Sequence, residues 1–237
     1  MSEDLRYPIG KFTFDKDAAA NNRNAAIQAI EELPVRLRQT IAGVGEEQMQ
    51  TPYREGGWTV HQLIHHIADS HMNAFIRFKL ALTEDKPTIK TYDEALWAET
   101  TDVSNVPVEI TLQLIDAVHE RWFILLTSLS DEAFARQLNH PEHGLVDLEY
   151  MTALYAWHSQ HHTAHVANLR EHHDPIWPAE LRLGGLGQRS VRLPRGRGRR
   201  RGRQRLRHRH AQPPGSEVHL RRDVPGQVGL LGGAERA

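Results

Sequence analysis

Four long segments of this chain repeat apolar residues at steps of three and four, the spacing that places them on one face of an α-helix. The segments cover about residues 17–44, 60–82, 107–126 and 147–173, and a strand-like pattern is confined to Leu145 and Val146. Each amphipathic helix must bury its apolar face against another element. The sequence therefore predicts an all-α four-helix bundle with at least one long crossover connection.

Local signals mark where some of these helices begin and where one is interrupted. Thr59 followed by Gln62 is a capping-box pattern, which predicts the start of the second long helix. Asp147 is placed to cap the fourth long helix. Pro34 falls inside the apolar pattern of the first, where the missing N–H predicts a kink or a break.

Charge divides the chain near residue 173. Residues 1–173 hold 14 Lys and Arg against 25 Asp and Glu, a net charge of −11. Residues 174–237 hold 15 Arg and no Lys against 5 acidic residues, a net charge of +10, and eleven of the seventeen glycines lie between 184 and 233. The sequence predicts a folded domain over residues 1–173 and a disordered, low-complexity Arg/Gly-rich tail over residues 174–237.

Three interpretations of this tail stay open. Many Arg, Gly, Pro and Leu residues without Lys are what a GC-rich gene yields when it is translated out of frame, so the segment is consistent with a frameshift or readthrough product. A passive disordered tail is the second interpretation. The third is nonspecific, salt-sensitive binding of nucleic-acid phosphates by the arginines. The acidic domain itself is a poor ligand for nucleic acid.

Composition excludes several classes of function. The chain has no cysteine, so disulfides, thiolate metal ligands and a cysteine nucleophile are excluded, and a catalytic thiol must come from another molecule. The acidic start, residues 1–4, lacks the apolar region of a secretory signal. The longest apolar run, residues 122–126, is far too short to span a bilayer. We therefore expect a soluble cytoplasmic protein with no membrane partner.

Histidines are concentrated on two of the predicted helices. On the fourth helix, His158 and His162 share one face, and His161 and His165 form a second pair at the same spacing. Two imidazoles one turn apart can hold a transition-metal ion. If the second helix faces the fourth, His66 completes a three-histidine site with His158 and His162. Such a site keeps one position open for water or an incoming ligand.

Four motifs on these helices resemble one known family. They are YREGGWTV at 53–60, HHIADSHMN at 65–73, RFKL at 77–80 and YAWHSQHHTAH at 155–165. Over about residues 5–172 the chain resembles the YfiT-like branch of the DinB superfamily. That resemblance implies a four-helix bundle, a homodimer, and one Zn or Ni ion on three histidines. The matching ligand positions are His66, His158 and His162, which are all present.

The resemblance implies an enzyme and leaves its reaction open. Family members are commonly described as metal-dependent hydrolases, which act on a small-molecule substrate through metal-activated water. Some relatives instead transfer a low-molecular-weight thiol such as bacillithiol, which would be a co-substrate here. A non-catalytic binding module with a nucleic-acid-binding tail is the third candidate. Asp69 is a candidate partner for a ligating imidazole, because metal-bound histidines usually donate their other N–H to a carboxylate or carbonyl.

Overall fold

A computed structural model of the chain describes residues 5–172. The tail predicted for residues 174–237, and with it the choice among its three interpretations, lies outside the described residues. In chain order the elements are α1 (Lys16–Thr40), α2 (Glu46–Met49), α3 (Val60–Thr83), α4 (Glu94–Trp97), α5 (Thr101–Asn105), α6 (Val108–Thr127), α7 (Asp131–Phe134), β1 (Gln137–His140), β2 (Gly144–Asp147) and α8 (Leu148–His172).

The four long helices, α1, α3, α6 and α8, form the predicted bundle. Helix α1 packs against α8 and α6, and α3 packs against α6 and α8, so each long helix has two long neighbours. The long connection from α3 to α6 carries the short helices α4 and α5. Strands β1 and β2 form an antiparallel hairpin in which Leu138 pairs with Val146. The all-α prediction is confirmed, with this hairpin as a small addition.

Side-chain caps fix the starts of the two helices that carry the candidate ligands. The Thr59 hydroxyl accepts from the Gln62 amide at 3.1 Å, and the Gln62 side chain accepts from the Thr59 amide at 3.1 Å. Asp147 accepts from the amide of Tyr150 at 2.8 Å. Both predicted caps are confirmed. They satisfy amides that have no partner within the helix and set where α3 and α8 begin.

The break that was one of the two predicted effects of Pro34 does not occur, because α1 continues through this residue to Thr40. Pro34 is buried between Leu33 and Leu37, which are 1% and 0% exposed and hold the helix against the core. Proline lacks the N–H that would donate to the carbonyl of Ile30. That carbonyl instead accepts from Nδ1 of His119 on α6, at 2.6 Å. A tertiary hydrogen bond thus replaces the missing helical one.

Trp122 on α6 lies at the centre of the larger apolar cluster, with no exposed surface. Aromatic rings surround it: the centroids of Phe78 and Tyr155 lie 5.2 and 5.5 Å away, and that of His71 lies 5.8 Å away. Within the described residues, its indole N–H has no hydrogen-bond partner. The side chain therefore stabilises the bundle by burial and ring contacts.

We expect Trp122→Ala to lower the free energy of unfolding by about 3–5 kcal/mol, because it leaves a large cavity in the core. Trp122→Phe should cost less than half of that, because it keeps a ring and removes an N–H that donates to no other group. Urea unfolding followed by circular dichroism measures both changes. Equal losses for the two variants would contradict this account of the residue.

The N-terminal arm lies along α8. The indole of Trp157 donates to the carbonyl of Gly10 at 3.2 Å, and the rings of Phe12 and Phe14 contact Tyr150 at centroid distances of 5.6 and 4.9 Å. These contacts bring residues 5–14 beside the histidine-rich part of α8. Across residues 5–172, none of the helices has the length and apolar character needed to cross a membrane.

Candidate metal centre

The structure brings the three predicted ligands together. His66 lies on α3, and His158 and His162 lie one turn apart on α8. One ring nitrogen from each of the three lies within 4.8 Å of the others. The ring centroid of His66 is 5.4 Å from that of His158 and 5.0 Å from that of His162. The packing of α3 against α8 therefore places three imidazoles around one point.

The nitrogens on α8 are spaced as two ligands of one ion are. Nε2 of His158 and Nε2 of His162 lie 3.1 Å apart. Two nitrogens bound at about 2.0–2.1 Å to one tetrahedral zinc ion lie about 3.3–3.4 Å apart. The two side chains therefore need little movement to share an ion.

Burial keeps the three imidazoles neutral at neutral pH. His66 and His162 are 5% and 8% exposed, and His158 is half-buried. Burial lowers the pKa of His66 to about 4, with a further contribution from His161. Burial also lowers the pKa of His158 and of His162 well below the ordinary value, and the neighbouring histidines add to the effect. A neutral imidazole offers a lone pair, which is the form that binds a metal ion.

A second group of histidines on α8 overlaps the first. His161, His162 and His165 also place one nitrogen each within 4.8 Å of the others. In this group Nδ1 of His162 faces Nδ1 of His165 at 3.4 Å, and Nε2 of His165 faces the carbonyl of Arg6 at 3.4 Å. Both nitrogens of His165 thus already have partners, whereas Nε2 of His158 and of His162 face each other beside His66. The donor set favours the site of His66, His158 and His162.

The two predicted ligands on α8 each contact a further imidazole through Nδ1. Nδ1 of His158 lies 2.9 Å from Nε2 of His71, and Nδ1 of His162 lies 3.4 Å from His165. Sequence reasoning proposed Asp69 for such a contact. The hydrogen bonds found within residues 5–172 do not join its carboxylate to any of the three ligands. Burial and the charge of Asp102 raise the pKa of Asp69 to about 6.

Sequence reasoning assigned no role to His71 and did not identify His119. His119 lies on the apolar face of α6, four residues after Ile115 and three before Trp122, where the periodic pattern calls for an apolar residue. A histidine at such a core position is the only local signal it gives, and its partners come from other helices.

A cavity of about 170 Å³ lies beside His158. Arg77 and Glu94 line it with opposite charges, together with Tyr92 and Tyr155. Arg77 donates to the carbonyl of Lys90 at 3.1 Å and lies 3.5 Å from the hydroxyl oxygen of Tyr155. The cavity combines aromatic walls with a few charged groups, as small-molecule sites commonly do.

A helical bundle with three converging histidines on two facing helices defines a class of metal-binding four-helix proteins. Residues 29–166 match the model of the DinB superfamily, and the chain belongs to that superfamily.

The chain is also similar to two curated proteins and to one solved structure. A Bacillus cereus strain B4264 protein named “Putative metal-dependent hydrolase” is 51% identical over 168 residues, which cover 71% of this chain and 96% of that protein. A Bacillus mycoides strain KBAB4 protein named in the same way is 50% identical over 169 residues, covering 71% and 97%. YfiT from Bacillus subtilis, described as “a probable metal-dependent hydrolase with an unusual four-helix bundle topology”, is 43% identical, with a TM-score of 0.67 and coverage of 70% of this chain and 95% of that one.

Proposed function

We propose that His66, His158 and His162 hold one divalent metal ion and that the chain is a metal-dependent hydrolase. The observation that carries this is the meeting of three neutral imidazoles from two helices, two of them buried and one half-buried, with two predicted ligand nitrogens 3.1 Å apart. Three protein nitrogens leave an open position on the ion, as catalytic sites do. When bound, such an ion lowers the pKa of its water to around 7 and so supplies a nucleophile at neutral pH.

The chain's own residues would bind and orient a small substrate beside this centre. The cavity next to His158 offers the Arg77 cation, the Glu94 carboxyl and two tyrosine rings. The Arg77 side chain is 8% exposed and is held by Lys90 and Tyr155, so its charge has a fixed place in the cavity wall. We assign the cavity to substrate binding.

The metal we propose is Zn or Ni. Histidine nitrogens suit both ions, and thiolate ligands are excluded because the chain has no cysteine. The homodimer implied by the family resemblance is also part of the proposal.

The second candidate is transfer of a low-molecular-weight thiol. One observation favours it: in the described part of the chain, no carboxylate hydrogen-bonds to the three predicted ligands, and the carboxyls of Glu94 and Glu142 line the cavity wall beside His158 only. A thiol depends less than water on a general base for its deprotonation, because its ordinary pKa is about 8.5 and a bound metal ion lowers that pKa further. The thiol would be a co-substrate. Nucleic-acid binding through the Arg-rich tail stays a prediction from sequence.

Turnover with and without thiols separates the two reactions. We expect the Zn- or Ni-loaded full-length protein to cleave members of a panel of activated esters and chlorinated aromatics at rates independent of added thiol. In ¹⁸O-labelled water, the product should carry the label. A reaction that requires a thiol and yields a thioether by mass spectrometry would replace hydrolysis by thiol transfer. The matched control is His66→Ala, which should be inactive in either case.

A further inference from the structure

A line of buried imidazoles leads from His158 into the centre of the bundle. Nδ1 of His158 lies 2.9 Å from Nε2 of His71, and Nδ1 of His71 lies 2.9 Å from Nε2 of His119. Nδ1 of His119 lies 2.6 Å from the carbonyl oxygen of Ile30. Three rings from α8, α3 and α6 and a carbonyl of α1 thus form one hydrogen-bonded chain across all four long helices.

The last member of this chain sets the direction of every bond in it. A carbonyl oxygen can only accept, so Nδ1 of His119 carries a proton. In a neutral His119, Nε2 is then the acceptor, and Nδ1 of His71 must donate to it. Nε2 of His71 is therefore also an acceptor, and Nδ1 of His158 donates to it. This leaves the lone pair of His158 on Nε2, the nitrogen that faces His162.

Burial explains why the inner rings are neutral. His71 and His119 are each 1% exposed, and a buried charge is retained only where an opposite charge or metal pairs with it. Among residues 5–172 no carboxylate hydrogen-bonds to either ring. Asp116, one turn before His119 on α6, is paired with Arg38 at 2.6 Å. With neutral rings, the arrangement of protons described above is the one that satisfies all three bonds.

Pro34 is the reason that the anchoring carbonyl is available. In an uninterrupted helix, the amide of residue 34 would donate to the carbonyl of Ile30. Proline has no such donor, and His119 takes its place at 2.6 Å. A residue that looks like a helix breaker in the sequence thus provides the acceptor at the end of the imidazole chain.

We propose that His71 and His119 are positioning residues that hold His158 in the tautomer protonated on Nδ1, with the Nε2 lone pair directed at the metal site. The inference rests on the proposed metal site of His66, His158 and His162. It adds two residues, neither of which contacts the ion. Fixing the tautomer and ring orientation of a ligand in advance lowers the cost of binding the metal.

His162 has a shorter and looser version of the same arrangement. The carbonyl of Arg6 lies 3.4 Å from Nε2 of His165, whose Nδ1 lies 3.4 Å from Nδ1 of His162. Because the carbonyl of Arg6 can only accept, Nε2 of His165 carries a proton and Nδ1 of His165 accepts from Nδ1 of His162. The lone pair of His162 is therefore on Nε2. Because these distances are longer than the 2.6–2.9 Å of the inner chain, we expect His165 to matter less than His71.

The tautomer itself can be observed without any metal. In ¹⁵N-histidine-labelled, metal-free, full-length protein near pH 7.5, we expect His158 to show a protonated Nδ1 and an unprotonated Nε2, assigned by its loss in His158→Gln. His71 and His119 should show the same pattern. A His158 protonated on Nε2, or on both nitrogens, would overturn the proposal. Because no ion is present, this result does not depend on whether the metal assignment is right.

The metal affinities of His71 variants then show whether His71 positions His158 by hydrogen bonding or only fills space in the core. We expect His71→Phe, which keeps a ring but no hydrogen bond, to weaken Zn binding 10–100-fold, about the usual effect of losing such a partner. His71→Gln should recover most of this loss, because its amide accepts from His158 and donates to His119. His61→Gln, on α3 but outside the chain of imidazoles, should match the parent.

Competition with a chromophoric chelator measures these affinities, and thermal unfolding is recorded beside them. A folded His71→Phe that binds Zn as tightly as the parent would overturn the proposal, as would equal losses for His71→Phe and His71→Gln. If His71→Phe does not fold, the tautomer of His158 in the parent decides. A parent that shows the expected tautomer but binds no Zn or Ni would refute the metal site and leave the imidazole chain intact.

Discussion

Replacing His158 and His162 together by alanine should reduce the metal content of the full-length protein from about one ion per chain to less than about 0.1. Metal-binding free energies of about 10–16 kcal/mol for four-ligand zinc sites correspond to roughly 2.5–4 kcal/mol per ligand. Loss of two of three ligands should therefore weaken binding by at least about 10³-fold. The measurement is elemental mass spectrometry after gel filtration, on protein loaded with Zn or Ni.

The chain provides a matched control for this experiment. His161 and His165 lie on the same helix at the same spacing and belong to the competing group of three histidines. The double variant His161→Ala and His165→Ala makes the same change in composition, and we expect it to retain about one ion per chain. Loss of the ion in this control would move the metal site to His161, His162 and His165, because His162 belongs to both groups and the first double variant removes it in either case.

Circular dichroism of both double variants shows whether each is folded. This matters because His158→Ala leaves a nitrogen of buried His71 without its partner, which is destabilising by itself. A folded parent that cannot be loaded with either metal would contradict the proposed function directly. The bundle would then be a binding module.

The fold could largely be predicted because its signals are local. Periodic apolar residues located all four long helices, and the caps at Thr59 and Asp147 located two helix starts to within a residue. The spacing of His158 and His162 placed them on one face for the same reason. Local patterns cannot specify which face of α3 packs against the face of α8 that carries His158 and His162. The choice of His66 from among the histidines of α3 therefore depended on family resemblance as well as on the polar residues that share its helix face, Asp69, Ser70 and Asn73.

The partners of the ligands could not be predicted, because they depend on contacts between residues far apart in sequence. His119 and His71 are 48 residues apart, and His119 and Ile30 are 89 apart. A single histidine in an apolar stripe has no sequence signal that distinguishes a hydrogen-bonding role from simple packing. The continuation of α1 through Pro34 could not be predicted for the same reason. Its local effect on the helix was expected, but the distant donor that compensates for it was not visible.

The buried histidines should also make the metal-free protein acid-sensitive. Burial lowers the pKa of His66 and of His119 to about 4 in the folded state, whereas the unfolded chain titrates near 6.5. Above pH 6.5 both states are neutral at these groups and no stability is lost. Between pH 6.5 and 4 the unfolded state takes up protons that the folded state does not, so stability falls as the pH falls.

The expected loss of unfolding free energy on acidification is large enough to unfold the protein. Each of these two groups contributes a slope of about 1.4 kcal/mol per pH unit, and together they remove about 7 kcal/mol by pH 4. His71, His158 and His162, whose pKa values burial also lowers, act in the same direction. The pKa values of the carboxyls of Asp69 and Glu94 are raised by burial and oppose this loss, but both carboxyls are more exposed than the two histidines counted above. Because domains are typically stable by about 5–15 kcal/mol, metal-free protein should unfold near pH 4–5.

Urea unfolding of metal-free protein at pH 7.5, 6.5, 5.5 and 5.0 measures this loss, and two comparisons identify its source. His119→Gln removes one titrating ring, so the slope of stability against pH between 6 and 5 should fall by about 1.4 kcal/mol per pH unit, whatever the variant does to stability at pH 7.5. Saturating Zn should move acid unfolding of the parent to lower pH, because protons and the ion compete for the same nitrogens. A slope that His119→Gln leaves unchanged would mean that this ring is not the group excluding protons from the folded core. An acid midpoint that Zn leaves unchanged would mean that the ligand nitrogens are not the ones protonated on unfolding.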